Sequence, residues 1–292
     1  MHRYLLHNDQ ILEAREKCVT PGQVGLLAGW GVFSTLRVFD GVLFAFERHW
    51  ERMKRDAALL RVPFPAEPSI MERGLRSLVE ANGAQDATLR VVVARNRGGM
   101  WEGPGIETDF DLVAFTTDLK NWGSGARLGL VEQARHAANV FAGTKVLSWA
   151  QNLAWNEQAA SRGLDEVILL NERGEVSECT SANVFIVKGA QAWTPPLASG
   201  CLPGVTRALL LEEIRVPGIE VRERTFHPAD LEKADEVFIT SSTRELLPVT
   251  SVEGLAMGGK HEVSRALHTA FARYMREYAA ARKTRAGALT AR

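Results

Sequence analysis

The chain has 292 residues, 46% of them hydrophobic and 24% charged, the proportions of a folded protein of about two ordinary domains. Its 35 Lys and Arg balance 35 Asp and Glu, so it lacks the electrostatic footprint of a nucleic-acid binder and offers no polybasic patch to an anionic membrane. Cys18, Cys179 and Cys201 are too scattered for a metal cluster and too few for a disulfide framework. MHRYLLHNDQ lacks the apolar core of a signal peptide, and no apolar run is long enough to span a bilayer. The expectation is a cytoplasmic protein with reduced thiols and no metal, acting on small molecules or serving as a scaffold.

In chain order, YLLHNDQILEA reads as a short hairpin turning at Asn8-Asp9. GVFSTLRVFDGVLFAF holds an Asp40-Gly41 turn between two apolar runs, a strong hairpin signal. A helix is predicted from about Arg48, with Trp50, Met53, Ala57 and Leu60 at helical spacing before Pro63, and a second over 68–82. TLRVVVAR and DFDLVAFTT read as strands. LKNWGSGA, residues 119–126, reads as a linker, which predicts a small α+β domain over 1–118 and a larger one over 127–292. In the second part ARLGLVEQA is a strand and LSWAQNLAWNEQAASRG a helix, with Trp149 and Trp155 at core positions. EVILLN and VSECTSANVFIVK form a hairpin around Glu172-Arg173-Gly174. TRALLLEEI is a helix, EKADEVFIT a strand and HEVSRALHTAFARYMREYAAAR a long amphipathic helix, while the final TRAGALTAR lacks a pattern and is expected to fray. Strands and helices come in blocks, an α+β arrangement.

Two near-motifs fail. Gly29-Trp30-Gly31 opens a dinucleotide fingerprint but has Ser34 in the third glycine's place, and GLAMGGK at 254–260 is followed by His261 where a phosphate loop needs Ser or Thr. The informative stretch is 137–156, AANVFAGTKVLSWAQNLAWN, in which Lys145 is the single charged residue. A lysine in apolar surroundings loses some preference for its charged form and becomes a usable nucleophile, although a lysine that snorkels from a buried element to solvent reads the same way. Ser199-Gly200-Cys201-Leu202-Pro203-Gly204-Val205-Thr206 runs straight into a helix, so free backbone N–H groups and the Thr206 hydroxyl converge as an anion cup or as an ordinary helix start. Thr240-Ser241-Ser242-Thr243 offers four hydroxyls at a strand end, and Glu178 sits among small and apolar residues, which reads as an inward-facing carboxylate or as an ordinary exposed hairpin glutamate.

These strings, in order, resemble the fold-type IV, or class IV, pyridoxal-phosphate enzymes, a group of branched-chain and D-amino acid aminotransferases and aminodeoxychorismate lyases. The match runs from Gly29 to Val249. It comprises Lys145, Asn152, Asp165-Glu166, Gly174, Glu178, Asn183-Val184-Phe185, Thr194-Pro195-Pro196 and Leu202-Pro203-Gly204-Val205-Thr206-Arg207, together with Gly29–Gly41 and His49–Met53. The resemblance implies a two-domain fold, a small α+β N-terminal layer and a larger barrel-like α/β domain, with pyridoxal 5'-phosphate in the cleft between them and a homodimer as the assembly. It makes Lys145 the residue that holds the cofactor covalently and then carries the Cα proton. Glu178 becomes the partner of the pyridine nitrogen, and Arg52, Val205, Thr206 and Thr243 the phosphate holders.

Within the family the strings divide. Branched-chain enzymes typically show a glutamate where this chain has Ser34 and a tyrosine where it has Ala150, and the 94–102 segment differs from the carboxylate trap of D-amino acid enzymes. The resemblance implies amino-group transfer between a branched-chain or similar small apolar amino acid and a 2-oxo acid. The alternatives are the lyase that releases pyruvate to give 4-aminobenzoate, a D-amino acid aminotransferase, and a catalytically silent cofactor binder. Arg37, Arg95 and Arg97 are candidate substrate-carboxylate partners, and Trp30, Phe33 and Trp101 candidate apolar walls.

Overall fold

The computed structural model describes residues 1–257 and 259–290. The chain forms two units: Met1–Lys120 with Lys145–Trp149 and the chain from Met275, and Asn121–Thr144 with Ala150–Tyr274. The first contains β1 (Tyr4–His7), β2 (Gln10–Glu13), α1 (Val24–Ala28), β3 (Gly31–Phe39), β4 (Val42–Leu43), α2 (Phe46–Leu60), α3 (Pro68–Ala81), β5 (Ala87–Arg95) and β6 (Phe110–Thr117). Its strands make one antiparallel six-stranded sheet in the order β2-β1-β6-β5-β3-β4. Asn8 (φ 55°), Asp40 (φ 51°) and Gly41 (φ 74°) occupy the left-handed region that two-residue hairpin turns require.

α2 begins two residues earlier than the periodicity predicts, because Phe46 and Trp50 stand one turn apart and pack together at a ring-centroid distance of 6.4 Å. Its inward face carries His49, Trp50, Arg52, Met53, Asp56 and Ala57, so polar groups share the stripe that packs on the sheet. Trp50, Met53, Leu75 and Leu78 meet Val32, Leu36, Leu89 and Val91 to form the core of this unit. Full burial contributes about 1.5–3 kcal/mol for each such large side chain.

The second unit contains β7 (Ala126–Arg135), α4 (Ala150–Ser161), β8 (Glu166–Asn171), β9 (Val176–Cys179), β10 (Asn183–Lys188), β11 (Gln191–Thr194), α5 (Val205–Glu212), β12 (Glu220–Glu223), α6 (Pro228–Glu232), β13 (Glu236–Ser241), β14 (Glu245–Val252), β15 (Leu255–Ala256) and the first half of α7 (Glu262–Thr290). The strands form a curled, mixed nine-stranded sheet in the order β12-β11-β10-β13-β14-β7-β8-β9, with β15 beside β14. Phe185 and Phe238 stack at 4.8 Å across neighbouring strands, and β8 is buried along its whole length. No helix among the described residues is long and apolar enough to cross a membrane.

Three expectations are corrected. The hairpin around 172–174 joins only β8 to β9; Thr180–Ala182 breaks the second strand, and β10 pairs with β13 instead. The break arises because the Thr180 and Ser181 hydroxyls donate to Glu166 while the Thr180 carbonyl accepts from Asn152 Nδ2 at 2.7 Å. Trp149 precedes α4 rather than riding on it and is half-buried rather than core, whereas Trp155 is half-buried on α4 and packs against the core of Ala134, Ala159, Val167 and Leu169. The C-terminal stretch continues α7 to Thr290 instead of fraying, and Ala291 and Arg292 lie outside the described residues.

Candidate active site

Lys145 sits in a short segment pinned to β3. Its carbonyl accepts from the Phe33 N–H at 3.1 Å, Val146 bridges Val32, and the Leu147 N–H donates to Gly31 at 2.9 Å. The Lys145 main-chain N–H donates to Oδ2 of the buried Asp56 at 3.0 Å. With the backbone held on both sides, the side chain leans over an aromatic platform, Nζ lying 4.5 Å from the Phe33 ring centroid and 6.0 Å from that of Trp149. Gly31 is required here, since a Cβ would come within 2.6 Å of the Val93 carbonyl oxygen and 2.5 Å of Leu147 Cδ1.

A second cation shares the platform. The Arg90 guanidinium lies 3.7 Å from the same Phe33 centroid and 6.0 Å from Trp149, and burial pulls its pKa below the ordinary arginine range. Among the described residues it has no carboxylate partner. Arg90 carries no sequence signal, since within the strand TLRVVVAR an arginine reads as a solvated alternate position; only the pairing of β5 with β3 brings it to Phe33.

The three arginines singled out from sequence all have protein partners. Arg37 pairs with Asp86 at 3.1 Å and donates to its neighbouring carbonyl at Val38. Arg95 donates to the carbonyls of Arg61 and Arg97 and lies over the Trp30 ring at 4.2 Å. Arg97 pairs with Glu102 and Asp109. Trp30 donates its indole N–H to the Leu60 carbonyl at 2.8 Å, Phe33 is buried, and Trp101 is 75% exposed. Arg52 is buried on α2, where its Nη2 donates to Ser34 Oγ at 2.8 Å.

In the second unit Glu178 is buried on β9. Its Oε1 accepts from Arg135 Nε at 3.1 Å and its Oε2 from the Leu202 N–H at 3.0 Å. Arg135 Nη2 reaches Asn152 Oδ1 at 3.4 Å, and Asn152 Nδ2 holds the Thr180 carbonyl, so two residues outside the strand fix the carboxylate's orientation. Asn152 belongs to the motif series, whereas Arg135 ends an ordinary-looking strand and carried no sequence signal. The Leu202–Gly204 turn brings Val205 and Thr206 to the start of α5, whose cap residue Gly204 supplies no side-chain hydrogen bond and leaves the first-turn N–H groups open to an anion. Asn183 Nδ2 donates to the Leu202 carbonyl at 2.8 Å, and a Cβ on Gly204 would collide with Asn183 Oδ1. Asn183 also pairs with Thr240, at the end of the strand that leads to Thr243. Thr240 Oγ1 is buried without a hydrogen-bond partner.

Residues 31–252 match the family model described as amino-transferase class IV. The chain belongs to the class IV aminotransferases. Over 270 residues it is 31% identical to a candidate branched-chain-amino-acid aminotransferase of Methanocaldococcus jannaschii, with 90% of this chain and 93% of that one covered. It is 28% identical over 258 residues to a D-alanine aminotransferase of Bacillus licheniformis, covering 87% and 90%. Its fold aligns with the crystal structure of the Escherichia coli branched-chain amino acid aminotransferase at a TM-score of 0.86 and 25% identity, covering 94% and 95%. Class IV aminotransferases use pyridoxal phosphate. Each unit holds groups of the right chemistry: in the second, uncapped first-turn N–H groups and a buried hydroxyl suit a phosphate dianion and a fixed carboxylate suits a protonated ring nitrogen; in the first, the Lys145 amine suits an aldehyde.

Proposed function

We propose that this class IV aminotransferase moves an amino group between a small apolar, branched-chain-like amino acid and a 2-oxo acid. Lys145 and Glu178 serve as catalytic residues, and Arg52, Val205, Thr206 and Thr243 hold the cofactor phosphate. The observation that carries the reading is the Phe33 platform, where a primary amine and an arginine with no carboxylate partner among the described residues lie over one aromatic ring. An amino acid or 2-oxo acid presents one carboxylate and one reacting carbon, and these two groups match it. Trp149 and Phe33 supply the apolar surface that a branched side chain needs, their rings meeting edge to face at 6.0 Å.

When bound, pyridoxal phosphate supplies an electron sink for the charge left by Cα deprotonation. Lys145 Nζ takes that proton and returns it. Glu178, oriented by Arg135 and the Leu202 N–H, keeps a proton on the ring nitrogen. Arg90 holds the substrate carboxylate so that the Cα–H bond faces Nζ. The 31% identical relative named for branched-chain transamination supports the donor class. Exposed Val140, Phe141, Leu153 and Leu197 in the second unit support a second copy of the chain as partner.

Borohydride reduction of the holoenzyme followed by peptide mass spectrometry is expected to place the adduct on Lys145. Titration with L-Leu, L-Glu and D-Ala is expected to show conversion by L-Leu. Arg90→Met is expected to cut kcat/KM by about 10–100-fold, the worth of a charged hydrogen-bonded pair. Adduct on another lysine, or an Arg90→Met enzyme with unchanged kcat/KM, would overturn the assignment. Inertness to all three donors together with pyruvate release from aminodeoxychorismate would make the enzyme the lyase.

A further inference from the structure

Ser34, His49 and Arg52 form a hydrogen-bonded chain under the first unit's sheet, and none is more than 8% exposed. Ser34 lies on β3; His49 and Arg52 stand one turn apart on the inward face of α2. Arg52 Nη2 donates to Ser34 Oγ at 2.8 Å, and Ser34 Oγ lies 2.7 Å from His49 Nδ1. Arg52 Nη2, which can only donate, also lies 3.5 Å from His49 Nδ1, so Nδ1 carries no proton and accepts from the Ser34 hydroxyl as well. The imidazole is neutral with its proton on Nε2, in keeping with burial and with the charges of Arg52 and Lys145, which hold its pKa well below the usual histidine value.

Resting on the reading above that Arg52 holds the cofactor phosphate, we infer that Ser34 and His49 are positioning residues that pre-order the Arg52 guanidinium for a phosphate monoester. A long arginine side chain loses rotamer freedom when it grips an anion, and a donor already fixed at one nitrogen has less left to lose. Ser34 and the His49 ring are neutral, so the orientation they give Arg52 does not discharge it. A carboxylate at position 34 would neutralise the charge while orienting it.

The test is a titration of the cofactor-stripped full-length chain with pyridoxal phosphate and, separately, with pyridoxal, which lacks the phosphate. Ser34→Ala and His49→Phe are each expected to weaken pyridoxal phosphate binding by about 10-fold while pyridoxal binding stays within about 2-fold, as for loss of one hydrogen bond to a charged group. Ser34→Thr, which keeps the hydroxyl, and His49→Asn, which keeps an acceptor near the Nδ1 position, are expected to restore the preference for the phosphorylated form. Equal losses for both ligands would mean general damage to the unit and would overturn the inference. Selective loss in Arg52→Met with no change in Ser34→Ala or His49→Phe would remove the relay while leaving Arg52 on the phosphate. An unchanged ratio in Arg52→Met would refute the phosphate assignment itself, and the relay with it.

Discussion

Replacing Arg244 by Met tests how the Thr243 turn is anchored. Arg244 is buried beside Glu166, with Nη2 3.3 Å from Oε2, Nη1 donating to the Ser181 carbonyl and hydroxyl at 3.1 and 2.9 Å, and the guanidinium 3.8 Å from the Trp122 ring centroid. Burial lowers its pKa, and the Glu166 charge opposes that shift. Glu166 is 1% exposed and also accepts from the Thr180 and Ser181 hydroxyls and the Val167 N–H. Removing one member of a buried pair costs about 3–5 kcal/mol, because the other keeps its charge away from water. Three neutral donors stay on Glu166, so the lower end, about 3 kcal/mol, applies to Arg244→Met. Glu166→Gln keeps its shape and leaves Arg244 two oxygen acceptors and the ring, so about 2 kcal/mol is expected. The double variant should cost about 2 kcal/mol less than the sum, since it leaves no orphan charge. The assay is urea unfolding of all four proteins, with thermal midpoints falling by about 2–4 °C per kcal/mol. Costs that add to within about 0.5 kcal/mol would show that the two groups do not interact and would refute the reasoning.

Gly204→Ala forces a Cβ onto the Asn183 amide oxygen and should dislodge the 202–204 turn, weakening pyridoxal phosphate binding by at least about 10-fold at a stability cost of about 1–3 kcal/mol; unaltered affinity would separate the turn from the cofactor. His49 supplies a pH signature. Its folded pKa lies well below the ordinary 6.5, so the unfolded chain binds more protons in that interval; its contribution is complete above about 6.5 and declines as pH falls toward the folded value. His49→Asn should flatten the urea midpoint across pH 5–7.5, and a slope equal to wild type would show that another group titrates.

Much of the first unit was legible because its signals are local. Asp40-Gly41 fixes a turn by backbone conformation, Pro68 opens α3, and the Trp50–Met53–Ala57 spacing orients α2. Glu178 and Lys145 are singled out for a different reason: their motif series lies in fixed order along the chain. Trp149 failed because an apolar residue beside a helical pattern reads as part of it, whereas its neighbours Lys145–Leu147 are bound to β3 and the helix starts only at Ala150. The hairpin over 176–188 failed because Thr180 and Ser181 donate to Glu166, and that partner lies on another strand.

The sequence by itself determined the element types, the turns, the lone lysine and the order of the motif residues, all set by near neighbours in the chain. Which arginine, among the described residues, lies beside Lys145 without a carboxylate partner was decided by tertiary structure alone. Arg37, Arg95 and Arg97 are taken by Asp86, by backbone carbonyls, and by Glu102 with Asp109, while strand pairing lays Arg90 over Phe33 beside the Lys145 amine. The same holds for the partners that orient Glu178 and Arg52. A guanidinium's role depends on which acceptors come within about 3 Å of it, and those acceptors lie dozens of residues away along the chain.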